Sequence, residues 1–211
     1  MVLYLSIIFV AMAIISILNI CLGTYTFDNY QLWVVMAVVL STVVEIAISG
    51  IFSALTEYTP DKWYKPHRKF YQVSKKEQRF YEKLGIKRWK DLVLELGALG
   101  GFRKNKLNGT SSQYMHKFMV ESVKGMLGHI MDMIMGFAVI FVLPMKYALR
   151  IGLPVAIVGC FLNLLPTLVL RYNLPKLNAA YVRAKRTEER AAKKSADQSV
   201  EKTELSATEE K

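Results

Sequence analysis

The stretch 125-GMLGHIMDMIMGFAVIFVLPM-145 decides the architecture, because its only ionisable side chains are His129 and Asp132. About 20 consecutive apolar residues in an α-helix cross the ~30 Å hydrocarbon core of a bilayer. A spanning element must satisfy its own backbone hydrogen bonds, which leaves a helix as the reading for such a run. Working outward, 151-IGLPVAIVGCFLNLLPTLVL-170 carries no charge, residues 31–55 carry only Glu45, and residues 1–25 carry none. The prediction is an all-α integral membrane protein with four transmembrane helices and an amphipathic helical segment between spans 2 and 3. Its parts are 1–55 (two spans and a short outside loop), 56–124 (a cytoplasmic, interfacial segment), 125–171 (spans 3 and 4) and 172–211 (a charged tail). The first span is read as retained. It lacks a basic n-region, its apolar run is long for a signal peptide, and Leu18-Asn19-Ile20-Cys21 sets a bulky Ile where lipoprotein cleavage needs a small residue.

Charge gives the orientation. The chain has 28 Lys and Arg against 17 Asp and Glu. Residues 23–30 hold none of these basic residues, 56–124 hold 16, 144–150 hold 2 (Lys146 and Arg150), and 171–211 hold 10. Basic residues near span ends stay in the cytoplasm, so both termini and the middle segment are expected there, in a multi-pass protein of the cell membrane. Juxtamembrane Lys and Arg also bind anionic lipid headgroups, at about 1 kcal/mol each. Nucleic acid is excluded as a partner, since the basic residues flank spans and form no groove-reading module. Cys21 and Cys160 form no CxxC pair and stand beside no His cluster, so neither a disulfide framework nor a metal site is expected. The chain has no phosphate loop and no nucleophile elbow, and no bound cofactor is expected.

The middle segment is too regular for a linker. Pro60 and Pro66 bracket Trp63 and Tyr64 in a turn expected at headgroup level. Ser74 and Glu77 form a capping box, and Phe80, Tyr81 and Leu84 follow at helical spacing up to a stop at Gly85. Ile86, Trp89, Leu92, Val93 and Leu96 predict a second helix lying in the membrane surface, broken by the glycines of 97–101. Ser111 or Ser112 can cap a last helix that runs through Met115, Phe118 and Met119 into the third span. His67 and His116 are read as solvent-facing. The first part of the tail is expected to extend the fourth helix, and 195–211 is expected to be disordered.

Several elements carry a resemblance. The run Phe80-Tyr81-Glu82-Lys83-Leu84-Gly85-Ile86-Lys87-Arg88-Trp89-Lys90-Asp91, then Gly101-Phe102-Arg103-Lys104, then 121–129, then Arg171-Tyr172-Asn173-Leu174-Pro175-Lys176-Leu177, resemble in order the glycosyl-4,4'-diaponeurosporenoate acyltransferase family. The likeness covers roughly 49–186. The chain differs from the family's usual pattern at Met126, Ile130 and Leu170, and the first span looks additional to the family core. The resemblance implies a bacterial membrane acyltransferase that attaches a fatty acyl chain to a sugar hydroxyl of a carotenoid glycoside in carotenoid biosynthesis.

O-acyl transfer needs a base for the hydroxyl proton, support for the oxyanion and a place for the donor. His129 is the candidate base, about one turn inside the cytoplasmic end of span 3, with Asp132 three residues on along the same helical face and Glu121 two turns earlier as possible helpers. At ~1.5 Å per residue, Asn163 lies roughly 12 Å inside Arg171, close to the depth of His129, so the two can meet across a helix pair, with Asn163 expected to donate to the sugar or oxyanion. Arg171, Tyr172, Asn173 and Lys176, with Arg88, Trp89, Lys90, Arg103 and Lys104, are the candidate substrate-binding residues. They are placed to meet the phosphates of acyl-CoA, an acyl carrier protein or a lipid. Glu45, near mid-span, is a further substrate contact. The expected function is transfer of a fatty acyl group to a hydroxyl of a glycolipid or lipid-linked sugar. The alternatives are a non-catalytic membrane scaffold that binds lipid or another membrane protein, and a small lipid or ion carrier using Glu45.

Overall fold

The computed structural model of the chain describes residues 2–93 and 109–209. No strand occurs among them, and four helices are long and apolar enough to cross a membrane. The spans are α1 (Val2–Leu22), α2 (Tyr30–Glu57), α5 (Ser112–Met135) with a 3₁₀ continuation (Gly136–Val142), and the start of α7 (Leu153–Glu209). Short helices α3 (Lys75–Lys83) and α4 (Ile86–Trp89) lie between the second and third spans. Pro144 ends the third span. The chain then turns through α6 (Met145–Tyr147) and a single π-helical turn (Ala148–Gly152) into α7.

Helix α5 is the centre of the bundle, packed along α7 and α2, while α1 lies at the edge against α2 and α7. Apolar side chains such as Phe9, Val10, Leu32, Met36 and Val43 point outward and are exposed, the surface expected of helices that face lipid. At the end of the short loops, Ile15, Val34, Val38, Val139, Ile151 and Val155 form one buried layer. Above it Tyr25 stacks on Tyr30 and on Tyr147, and Trp33 leans on Tyr147, an aromatic belt of the interfacial kind. At the opposite, basic end, Val120, Val123, Met126, Leu170 and Leu174 bury Tyr64 and Tyr71 from the connecting segment.

Local chemistry fixes the helix ends. The Ser74 hydroxyl accepts from the Glu77 amide, and the Ser111 hydroxyl accepts from the Tyr114 amide, so both N-termini are capped by side chains. Gly85 takes the left-handed conformation (φ 66°) that ends α3, a position that a Cβ would strain. Lys124, nearly buried in α5, donates to the orphan carbonyl of Glu57 at 2.7 Å and sits 3.6 Å from Asp61, so a cation closes the C-terminus of α2.

Two expectations need correcting. The surface helix over 86–96 is instead one helical turn followed by the 3₁₀ turn Lys90–Leu92. Ile86 and Val93 bury against Val169 and Tyr172 of α7, and packing on that span replaces an apolar face laid on lipid. Leu96 and the glycines of 97–101 lie outside the described residues. In the turn at Pro60, Trp63 is exposed, but Tyr64 is buried under the segment with its hydroxyl bonded to Thr59. Helix α7 continues beyond the span as far as Glu209.

Candidate functional site

Three side chains from two helices meet within the bundle. Asp132 follows His129 by three residues, so α5 sets both on one face, and α7 brings Asn163 against them. His129 Nδ1 lies 3.0 Å from Asn163 Oδ1 and 4.0 Å from Asp132 Oδ2. The amide group of Asn163 donates through Nδ2 to the Gly159 carbonyl at 3.2 Å, one turn back, so its oxygen is the atom turned toward the histidine. With that oxygen as acceptor, His129 donates from Nδ1. Asn163 thus turns its oxygen to the imidazole and its Nδ2 to the Gly159 carbonyl. Asp132 is almost wholly buried, accepts from the Ser53 hydroxyl at 2.8 Å, and has no hydrogen bond on its other oxygen among the described residues. At 4.0 Å from the ring it is too far to be a hydrogen-bond partner of His129.

These groups line a cavity of about 260 Å³ walled by all four spans. Glu45 lies deeper in it, accepts from Ser49 at 3.3 Å, and fits only because α7 has a glycine opposite. A Cβ on Gly159 would fall 1.9 Å from Glu45 Oε1, and one on Gly136 would fall 3.2 Å away. Ser49, Ser53, Gly136 and Gly159 escaped the sequence reading. A signal for the serines is present: Ser41, Glu45, Ser49 and Ser53 recur every fourth residue, a polar stripe along one face of an otherwise apolar helix.

The remaining candidates do not line this cavity. Glu121 is half-buried two turns before His129, nearest in charge to Lys124, Glu57 and Asp61. Arg171 is committed to structure at the basic end: its guanidinium bonds the Glu77 carboxylate, donates to the Phe70 carbonyl at 3.0 Å and lies 5.7 Å above the Phe70 ring. Burial alone would raise the Glu77 carboxyl, but the Arg171 and Tyr81 hydrogen bonds and the Arg171 charge outweigh it and hold the group below its ordinary value. Burial first, and then the bond to Glu77, push the Tyr81 hydroxyl up to about 12. Tyr172 is fully buried and so is no surface anchor, with Lys176 lying 4.1 Å over its ring, and Asn173 is half-buried beside it. Arg88 is exposed, Lys90 pairs with Asp91 at 3.7 Å, and the Trp89 indole donates to the Leu84 carbonyl at 3.1 Å. Arg103 and Lys104 lie outside the described residues. No cluster of three metal-ligating side chains occurs among the described residues.

Residues 60–183, well over half of the chain, match the family model described as glycosyl-4,4'-diaponeurosporenoate acyltransferase. The matched region contains His129, Asp132 and Asn163, whereas α1 and α2, with Glu45 and Ser53, precede it. Neither the curated proteins nor the solved structures contain a match to the chain.

Proposed function

As the chain belongs to the glycosyl-4,4'-diaponeurosporenoate acyltransferase family, we propose that it moves a fatty acyl group from a cytoplasmic thioester, acyl-CoA or acyl carrier protein, to a hydroxyl of a glycolipid. The observation that carries this reading is the 3.0 Å contact between His129 Nδ1 and Asn163 Oδ1 inside a cavity reached from four spans. The contact holds the ring through Nδ1, and Nε2 is the base we propose for removal of the hydroxyl proton.

In the proposed step Nε2 takes the proton of the acceptor hydroxyl while its oxygen attacks the thioester carbonyl. The C–O bond forms, the C–S bond breaks, and the imidazolium returns the proton to the departing thiolate, so that ester and free thiol result. Asp132, 4.0 Å from Nδ1, favours the transient imidazolium through a charge interaction that an apolar surround strengthens. Because the histidine is the only proton carrier invoked, its loss removes the whole general-base contribution, typically a factor of about 10²–10⁴.

The test is acyl transfer by purified protein in lipid nanodiscs, with extracted lipids read by mass spectrometry. His129→Ala is expected to insert and fold normally yet lose the acylated product. Unchanged product formation by that variant would remove His129 from the chemistry.

A further inference from the structure

The cavity is divided. His129, Asp132, Asn163 and Ser53 lie toward the basic end of the bundle, and beyond them the lining is mainly apolar apart from Thr42, Glu45 and Ser49. From Asn163 to Val155, where the lining meets the buried layer around Ile15, α7 runs about 12 Å at ~1.5 Å per residue. One wall of that apolar part is α1, which contributes Ile8, Ala11, Met12 and Ile15. The rest of α1 faces outward: Phe9, Val10, Ile14 and Ile17 are all exposed.

Helix α1 is also tied by hydrogen bonds near both ends, and between them Met12 and Ile15 pack against the buried layer. The Tyr4 hydroxyl donates to the Leu162 carbonyl at 3.4 Å, an acceptor released because Pro166, four residues later, has no amide hydrogen. At the other end Asn19 donates to the Arg150 carbonyl at 3.1 Å. Between these ties Ile8, Ala11, Met12 and Ile15 line the cavity.

We propose that the apolar slot holds the fatty acyl chain of the donor, and that α1, which stands outside the family match, sets the acyl length this protein accepts. The inference rests on the acyltransferase reading for its reacting end. A carbonyl placed beside His129 sends its chain down the mainly apolar part of the same cavity, while a sugar hydroxyl approaches from the polar side. Glu45 does not bar the way, because its carboxylate is drawn between the backbones of Gly136 and Gly159. A slot closed at Ile15 and Val155 stops a chain at a fixed depth, which makes it a ruler.

The experiment compares wild type, Ala11→Phe and Met12→Ala with a series of acyl donors of increasing length, and adds labelling by a fatty acid with a photoreactive group at its terminal carbon. Ala11→Phe shortens the slot and is expected to cut transfer of the longest donors by about tenfold or more while sparing the shortest, and Met12→Ala is expected to shift the optimum toward longer chains. Label is expected on Ala11, Met12 or Ile15. Label confined to the outward Phe9, Val10 and Ile14, or length profiles that both variants leave unmoved, overturns the proposal. Label in the slot of a wild-type protein that transfers no acyl group sinks the enzymatic reading and keeps the slot.

Discussion

The amide of Asn163 is the small part on which the direction of the base depends. Its Nδ2 is held by the Gly159 carbonyl and its Oδ1 by His129 Nδ1, so Asn163→Leu keeps the volume but frees the ring to turn or to change tautomer. We expect that variant to lose about 10²-fold or more in kcat with little change in KM, because the orienting contact acts on the reacting group and not on substrate binding. Equal losses in kcat and in affinity for the acceptor would instead make Asn163 a substrate contact. A second residue, Gly159, is held to its identity by space. Gly159→Ala would put a methyl 1.9 Å from Glu45 Oε1 and is expected to cost about 1–3 kcal/mol of stability, a cost that Glu45→Ala in the same chain should largely relieve. Thermal unfolding in detergent of the two single variants and the double variant checks this, and simple additivity would show that the two side chains do not compete for one place.

At the scale of elements, the clamp between α3 and α7 depends on acid. Glu77, held below the ordinary carboxyl value of 4.5, lends α3 a stabilisation that is complete above that value and is lost as pH falls through its lowered one. Amide exchange should therefore show α3 loosening in acid below about pH 4.5 while the membrane-spanning parts hold, and Glu77→Gln should abolish that step. A step of the same size in Glu77→Gln would assign it to another carboxylate. Elements of this kind were legible to different degrees. The caps at Ser74 and Ser111 and the stop at Gly85 could be read directly, since each is decided by a few neighbouring residues. The meeting of His129 and Asn163 followed from depth along two spans of known rise, but not the direction of the hydrogen bond between them. Which face of α1 turns inward could not be read, because that helix is apolar all round and no periodicity distinguishes lipid from protein. Nor could the pairing of Arg171 with Glu77, which sit 94 residues apart and join only once α3 folds back on α7.

For the molecule as a whole, the asymmetry of charge and the polarity of the cavity point the same way. Four spans return the chain to its starting side, and the described Lys and Arg of 56–93 and 171–194 lie at one end, against none in 23–30 and 2 in 144–150. The aromatic belt of Tyr25, Tyr30, Trp33 and Tyr147 marks the opposite end. The His129 cluster lies nearer the basic end, so with both termini in the cytoplasm a soluble thioester reaches the histidine without crossing the bilayer. With the reverse orientation the same donor would face the wrong surface. In a chain whose exposed Cys21 and half-buried Cys160 are first replaced by Ser, a reporter made by Asp28→Cys is expected to react with a membrane-impermeant maleimide on intact cells, and one made by Ser195→Cys only after permeabilisation. The opposite pattern would separate the imidazole from every cytoplasmic acyl donor, and the chemistry proposed at His129 would then need a donor supplied from outside the cell.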